Sequence, residues 1–290
     1  LKQTNLRSAT DFAANLEFIV PERFNFAYDV MDVWAEEAPN KRAVLWTNDQ
    51  GEVHTYTFGD LRRETDRTAS YLQSLGIGRG DKVMLTLKRR IEFWLAILAL
   101  HKIGAVAIPA THMLTVHDYV YRNVNADIKA IICVGEEYVL EQIVGALPES
   151  PSVKHCISVG PMRFSPQNDT PASVSFHLWS EEQPLAPPFV RPEVANENDD
   201  TMMLYFTRGT SGNPKMVRTI ASMPLVILAQ AFIGTILRPR AFILPWQTLF
   251  GARRYGENST VNGLLAQPSW FTTKRSLPPR TFSRRWRPTA

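Results

Sequence analysis

"KVMLTLKRRIEFWLAILALHKIGAVAIP", residues 82–109, reads as strand, helix and strand with short links between them. "KVMLTL" is an apolar run of strand length, "RIEFWLAILALHKIG" is long enough only for a helix, and "AVAIP" is the next strand. Strands joined through a helix in one sheet run parallel. The alternation continues outward: helix "TVHDYVYRNVNA", strand "KAIICV", helix "EEYVLEQIVGAL" and strand "VKHCISV" come in order. The fold class expected is therefore α/β, a doubly wound and mainly parallel sheet.

Upstream, "TFGDLRRETDRTASYLQSLG" is an amphipathic helix with Leu61, Thr68, Tyr71, Leu72 and Leu75 inward and Gly76 as its cap. "RAVLWTNDQGEVHTYTF" reads as two strands around a turn. "FNFAYDVMDVWAEEAP" puts Phe26, Val30, Val33 and Trp34 at helical spacing and stops before Pro39. Downstream, residues 160–200 carry Pro161, Pro166, Pro171 and the run "PLAPPFVRPE", the text of a long surface connection. "TMMLYFT", residues 201–207, returns as an apolar strand.

Composition sets bounds on function. Of 290 residues 44% are apolar, enough to bury a sizeable core, and no apolar run has the length of a membrane span. The start "LKQTNLRSATDF" has neither an initiator Met nor a secretory apolar stretch, so the chain is expected to begin inside a longer protein. Cys133 and Cys156 lie in strand-like surroundings, and both are expected to be reduced core residues of a cytoplasmic protein. The net charge of +4 is unevenly spread. Residues 218–290 hold eleven Lys and Arg against the single acid Glu257, a balance of +10 that leaves −6 for residues 1–217.

The strand at 201–207 feeds the loop Thr207-Arg208-Gly209-Thr210-Ser211-Gly212-Asn213-Pro214-Lys215. Glycines let backbone N–H groups approach phosphate oxygens, hydroxyls donate further bonds, and a lysine adds a point charge. The spacing is not that of a Walker loop, and composition alone also fits a solvated turn. Its place after a strand of an α/β sheet, where such folds hold ligands, favours phosphate. Residues 208–215 are accordingly expected as a loop at that strand's carboxyl end.

Other stretches read more plainly. "GIGRGD", Gly76–Asp81, comes after a helix and before a strand, the reverse of a dinucleotide fingerprint, so a helix cap and turn is expected. His112 sits at a strand end and is the one histidine to watch, since none pairs with another at metal-ligand spacing. Asp118, Glu136, Glu137 and Glu141 read as solvated helix charges. No metal site is expected.

The loop "YFTRGTSGNPKMV" resembles the phosphate loop of the adenylate-forming superfamily. With "RFNFAYDVMDVWAEEAPNKRAVLW", "DRTASYLQSLGIGRGDKVMLTLKRRIEFWLAILALHKIGAVAIPATHMLT" and "NADIKAIICVGEEYV", residues 15 to 217 are similar to acyl-CoA synthetases of the medium-chain and acetate type. The resemblance implies an ATP- and Mg²⁺-using ligase that joins a carboxylic (fatty) acid to AMP and passes the acyl group to coenzyme A. It implies that Thr207, Gly209, Thr210, Ser211, Gly212 and Lys215 hold the ATP phosphates, with Lys215 also the catalytic lysine. Arg208 departs from the small Ser of the family. No nucleic acid and no membrane belong to this reading.

At Arg218 the resemblance stops. Back-translated with free synonymous codons and regrouped two nucleotides later, "VRTIASMPLVI" can yield His-Asn and then Leu-Gly-His. "WQTLFGARRYGENSTVNGLLAQPSWFTT" can likewise yield Ala-Asp-Thr, a Trp-Gly-rich run and Val-Tyr-Asp, words such synthetases carry after the loop. The domains expected are thus 1–217, the N-terminal part of an AMP-binding synthetase domain, and 218–290, a basic tail out of frame and without a fold of its own. Two rivals share parts of this text. An aryl-CoA ligase or luciferase-like oxidase shares the loop. A nucleic-acid-binding module would use the basic tail, but Trp246, Trp270 and Trp286 show no one-faced spacing with the bases.

Overall fold

The structure, a computed structural model, describes residues 20–48, 51–162, 171–207 and 213–227. Its first helical segment is a π-helical turn, Ala27–Asp32, that passes into α1 (Val33–Glu37). A π turn holds more residues per turn than an α turn, so it rotates α1 away from a 3.6-residue phase. For that reason Val33, expected inward, is 40% exposed, while Ala27, Tyr28 and Ala35 are buried. Strands β1 (Arg42–Thr47) and β2 (Val53–Thr57) then pair antiparallel as a small sheet of their own, Trp46 opposite His54.

Helix α2 (Phe58–Ser74) starts where Thr57 can cap it. The Thr57 hydroxyl accepts the Asp60 N–H at 3.1 Å, and the Asp60 carboxylate accepts the Thr57 N–H at 2.9 Å. This reciprocal pair satisfies two of the helix's orphan donors. Those bonds from Thr57, with help from Arg63, hold the Asp60 carboxyl below the ordinary aspartate range. After α2 the chain alternates: β3 (Lys82–Thr86), α3 (Ile91–Ile103), β4 (Val106–Pro109), α4 (Val116–Ala126), β5 (Ile128–Val134), α5 (Glu137–Ala146) and β6 (His155–Val159). Thr115 and Asp118 repeat the capping pair at the start of α4.

Two elements break the expected surface connection at 160–200. β7 (Ser175–Leu178) adds a parallel edge strand to β6, and α6 (Trp179–Glu182) comes directly after it. Only four residues long, β7 carries too few side chains for a periodicity to register. β8 (Thr201–Thr207) is the expected strand and lies parallel to β4, and β9 (Lys215–Ile220) turns back antiparallel along it. The seven-stranded order is β7-β6-β5-β3-β4-β8-β9. The chain steps from β3 to β4 on one side and returns to β5 on the other, the reversal that defines double winding.

The central strands of the sheet are buried on both faces. Val83 and Leu85 of β3 enter one core with Leu72 and Ile97, while Met84 between them enters the other with Tyr119 and Ile143. Helix α3 is apolar nearly all round, and Leu95 to Ile103 is an unbroken buried stretch. Its end at Gly104, φ +70°, is a close approach: a Cβ there would lie 1.8 Å from the Ala195 carbonyl oxygen. Cys133 and Cys156 are free and buried, and burial pushes the Cys133 thiol up to about 12.

One charge is packed inside this apolar frame. The Lys102 ammonium, 1% exposed, lies 2.9 Å from Asp32 and 2.6 Å from Asp66, and its carbonyl accepts the Tyr28 hydroxyl. The N-terminal segment and α2 are thereby tied to α3. Removing one member of a buried pair strands the remaining charge, at a cost of several kcal/mol. Lys102→Met should destabilise the chain by about 3 kcal/mol in denaturant unfolding, the low end of that range because Asp66 is 32% exposed. Adding Asp32→Asn and Asp66→Asn should recover part of the loss.

His101, beside it, is fully buried, and neither ring nitrogen has a partner among the described residues. Burial pushes its imidazole down to about 4. An unfolded histidine binds its proton near pH 6.5, so between there and about 4 the unfolded state holds the extra proton and stability falls as pH falls. The limiting slope for one such group is about 1.4 kcal/mol per pH unit. In His101→Leu the loss of stability between about pH 6 and about pH 4.5 should be shallower than in the parent by up to this slope, measured by denaturant unfolding at each pH.

Candidate phosphate site at the carboxyl edge of the sheet

Strands β8 and β9 are the two stems of the candidate site. Thr207 ends one, Lys215 begins the other, and the two residues stand directly opposite, with Phe206 opposite Met216 and Tyr205 opposite Val217 behind them. Both Thr207 and Lys215 are exposed, and the Thr207 hydroxyl reaches toward the Lys215 carbonyl at 3.4 Å. Lys215 is thus the first residue of β9 rather than part of the loop expected over 208–215. Gly209, Thr210, Ser211 and Gly212, with Arg208, lie outside the described residues.

The stems lean on α4. The Tyr121 hydroxyl donates to the Pro214 carbonyl at 2.9 Å, and the Tyr121 ring meets Phe206 edge-on with centroids 6.2 Å apart. The Arg122 guanidinium lies 5.2 Å from the centre of the Phe206 ring. Spacing in the sequence carries no sign of these partners, because Tyr121 and Pro214 are 93 positions apart.

The remaining sequence candidates fall into structural roles. The Gly76–Asp81 stretch closes on itself: Gly76 and Gly80 take left-handed φ, the Gly78 N–H donates to Asp81, and Lys129 bridges Asp81 and the Gly76 carbonyl. His112 stands at the carboxyl edge after β4, its imidazole held low by burial and by Lys88, against the pull of Glu136. Lys88 pairs with Glu136, and Asp118 caps α4 and pairs with Arg122 at 3.2 Å. Burial lifts the Asp118 carboxyl, but bonds from Thr115 and Arg122 outweigh it and leave it lowered. Glu137 and Glu141 are exposed on α5.

A polar chain that the sequence did not reveal runs at the amino edge of β6: His155 contacts His177 at 3.1 Å, His177 contacts Glu182 at 2.8 Å, and Tyr71 donates to the same carboxylate at 3.2 Å. Among the described residues no three His, Cys, Asp or Glu are grouped to hold a metal ion. A cavity of about 20 Å³ beside His101, lined also by Asn25, Asn196 and Thr201, has room for a water but not for a nucleotide.

The continuation past the stems bears on the domain boundary. Arg218 and Thr219 stay in register against Leu204 and Met203, Ile220 pairs with Thr201 after a one-residue shift, Ala221 is buried, and residues 223–227 form a helical turn. The described structure therefore crosses position 217 without interruption. The part of the tail from 228 on lies outside the described residues.

The model of the AMP-binding enzyme family matches residues 31–231. Over 207 residues the chain is 33% identical to rat "Acyl-coenzyme A synthetase ACSM5, mitochondrial", covering 68% of this chain and 33% of that protein. Human "Acyl-coenzyme A synthetase ACSM1, mitochondrial" is 31% identical over 230 residues, 74% of this chain and 37% of its own length. Human "Acyl-coenzyme A synthetase ACSM2A, mitochondrial" is 32% identical over 209 residues, with 68% and 33% covered. The chain spans about a third of the length of these curated relatives. The matched region takes in the doubly wound sheet and both stems of the candidate site, and by that match the chain belongs to the AMP-binding enzyme family.

Proposed function

We propose that this chain carries the phosphate-binding part of an ATP-dependent acyl-CoA synthetase acting on short- and medium-chain fatty acids. The observation that supports it most is the pairing of exposed Thr207 with exposed Lys215 at the carboxyl edge of the sheet, a hydroxyl and an ammonium presented together. The whole reaction is two displacements. The acid's carboxylate attacks the α-phosphorus of Mg²⁺–ATP, giving an acyl-adenylate and pyrophosphate, and the coenzyme A thiol then displaces AMP.

In the first step Lys215 neutralises the charge that gathers on the departing pyrophosphate, and Thr207 with Gly209, Thr210, Ser211 and Gly212 fixes the triphosphate so that attack is in line. Lys215 is the catalytic residue in this sense. Partners are the acid, ATP and coenzyme A. The free, buried Cys133 and Cys156 suit a reducing compartment, and cytoplasm is the reading adopted. Among the described residues no helix is long and apolar enough to cross a membrane.

We read 218–290 as the continuation in a shifted frame, although the family match runs on from Val217 to residue 231. Arg218, Thr219 and Ile220 extend β9 all the same, and the β-branched side chains of Thr219 and Ile220 suit a strand. A phosphate loop without the adenine- and acid-binding parts cannot align an acid with the α-phosphorus, and alignment supplies as much as about 7–11 kcal/mol of barrier reduction. Pyrophosphate release with acids from acetate to octanoate should be undetectable for this chain and restored in the frame-corrected full-length protein. In that protein Lys215→Ala should lower turnover by about a hundredfold or more, and Arg208→Ser should raise it. Turnover by the present chain, or none in the corrected protein with any of these acids, would contradict the reading.

A further inference from the structure

The β8–β9 pair ends the described sheet, and among the described residues β9 has no strand on its outer side. Its residues Lys215 to Arg218 are exposed, so among the described residues the strand that carries Lys215 is held by β8 on one edge alone. Helix α4 meets both stems one residue short of the phosphate-binding positions. Pro214, immediately before Lys215, gives its carbonyl to the Tyr121 hydroxyl at 2.9 Å. Phe206, immediately before Thr207, is gripped by the Tyr121 ring edge and by the Arg122 guanidinium.

The grip is itself braced. Arg122 donates to the Asp118 carbonyl at 2.9 Å and to its carboxylate at 3.2 Å, and Asp118 is tied to Thr115 by the capping pair. The Val116 N–H donates to Gln142 at 3.0 Å, which couples the start of α4 to α5. Neighbouring residues on a helix point about 100° apart, so Tyr121 and Arg122 can approach the stems from two directions. Ordinary packing accounts for a ring against Phe206. The hydroxyl adds a bond to the backbone carbonyl that precedes the lysine, which fixes that stem as well.

We propose that Tyr121 and Arg122 are positioning residues of the phosphate site: they clamp the two stems and thereby set where the Lys215 ammonium stands relative to the Thr207 hydroxyl. This rests on the reading of the loop as a polyphosphate site. Neither residue touches the ligand. Their effect is to reduce the conformational freedom that binding must otherwise remove.

The test is titration of the full 290-residue chain with Mg²⁺–pyrophosphate, monitored at the amide signals of Thr207 and Lys215, with thermal unfolding in parallel. Tyr121→Phe keeps the ring and removes only the hydroxyl. It should weaken binding about five- to tenfold, the scale of one lost hydrogen bond, with little change in Tm. Tyr138→Phe, the same change on an exposed α5 side chain, should have no effect. Arg122→Lys keeps the charge but loses the flat guanidinium, and should weaken binding less than Tyr121→Phe.

Coupling separates positioning from mere stability. Lys215→Ala should weaken binding strongly in the parent and distinctly less in the Tyr121→Phe background, because a misplaced ammonium has less to lose. If Lys215→Ala weakens binding while Tyr121→Phe leaves it within about twofold, the clamp is overturned and the phosphate site stands. If the two effects simply multiply, or if binding falls only in step with Tm, Tyr121 is structural and the proposal fails. If the parent chain shows no shift at Thr207 or Lys215, the phosphate reading fails and the clamp with it.

Discussion

Everything in this fold hangs on β3 being covered on both faces while it is paired on both edges. Val83 and Leu85 fill one core, Met84 the other, β4 and β5 take its two edges, and no side of the strand is left for solvent. Helices must therefore lie above and below the sheet, and every parallel strand-to-strand connection must cross over one face. That requirement leaves the carboxyl edge, where the strands end and the loops begin, as the place for a ligand. The Thr207 and Lys215 stems stand at that edge, whereas the water-sized cavity and the His155–His177 chain stand near the amino ends of β8 and β6.

Much of this was legible because local chemistry and global fold agree. Thr57 with Asp60, and Thr115 with Asp118, cap two helix starts, a role that reading Asp118 as a solvated charge passed over. Gly76, read as a helix cap, takes left-handed φ as that reading requires. The continuous apolar runs of β3 and β5 announce strands buried on both faces. Where the reading faltered, a local rule was bent: the π turn at Ala27–Asp32 changed the phase that Val33 was expected to keep, and β7 is too short to carry a pattern.

The site divides in the same way. Thr207 and Lys215 were singled out by the glycines, hydroxyls and lysine after an apolar strand, and the fold sets the two opposite each other. Tyr121, Arg122, His155, His177 and the buried Lys102 with its two aspartates were not, because each finds its partners through the fold rather than along the chain. Such pairs are set by which helix the sheet brings over which strand. Lys102 shows the energetic side of this: an ammonium inside an apolar core is tolerable only when two carboxylates from separate elements arrive together.

The central claim is that Lys215 meets the phosphates of a nucleotide at the end of β8. Its most direct test is protection of Lys215 from an amine-acylating reagent, read by mass spectrometry on the intact chain with Mg²⁺–ATP, AMP or no ligand. The account predicts that Mg²⁺–ATP slows acylation of Lys215 while AMP, which lacks the β- and γ-phosphates, leaves it unchanged, and that buried Lys102 stays unreactive throughout. Equal reactivity of Lys215 in all three conditions would contradict it.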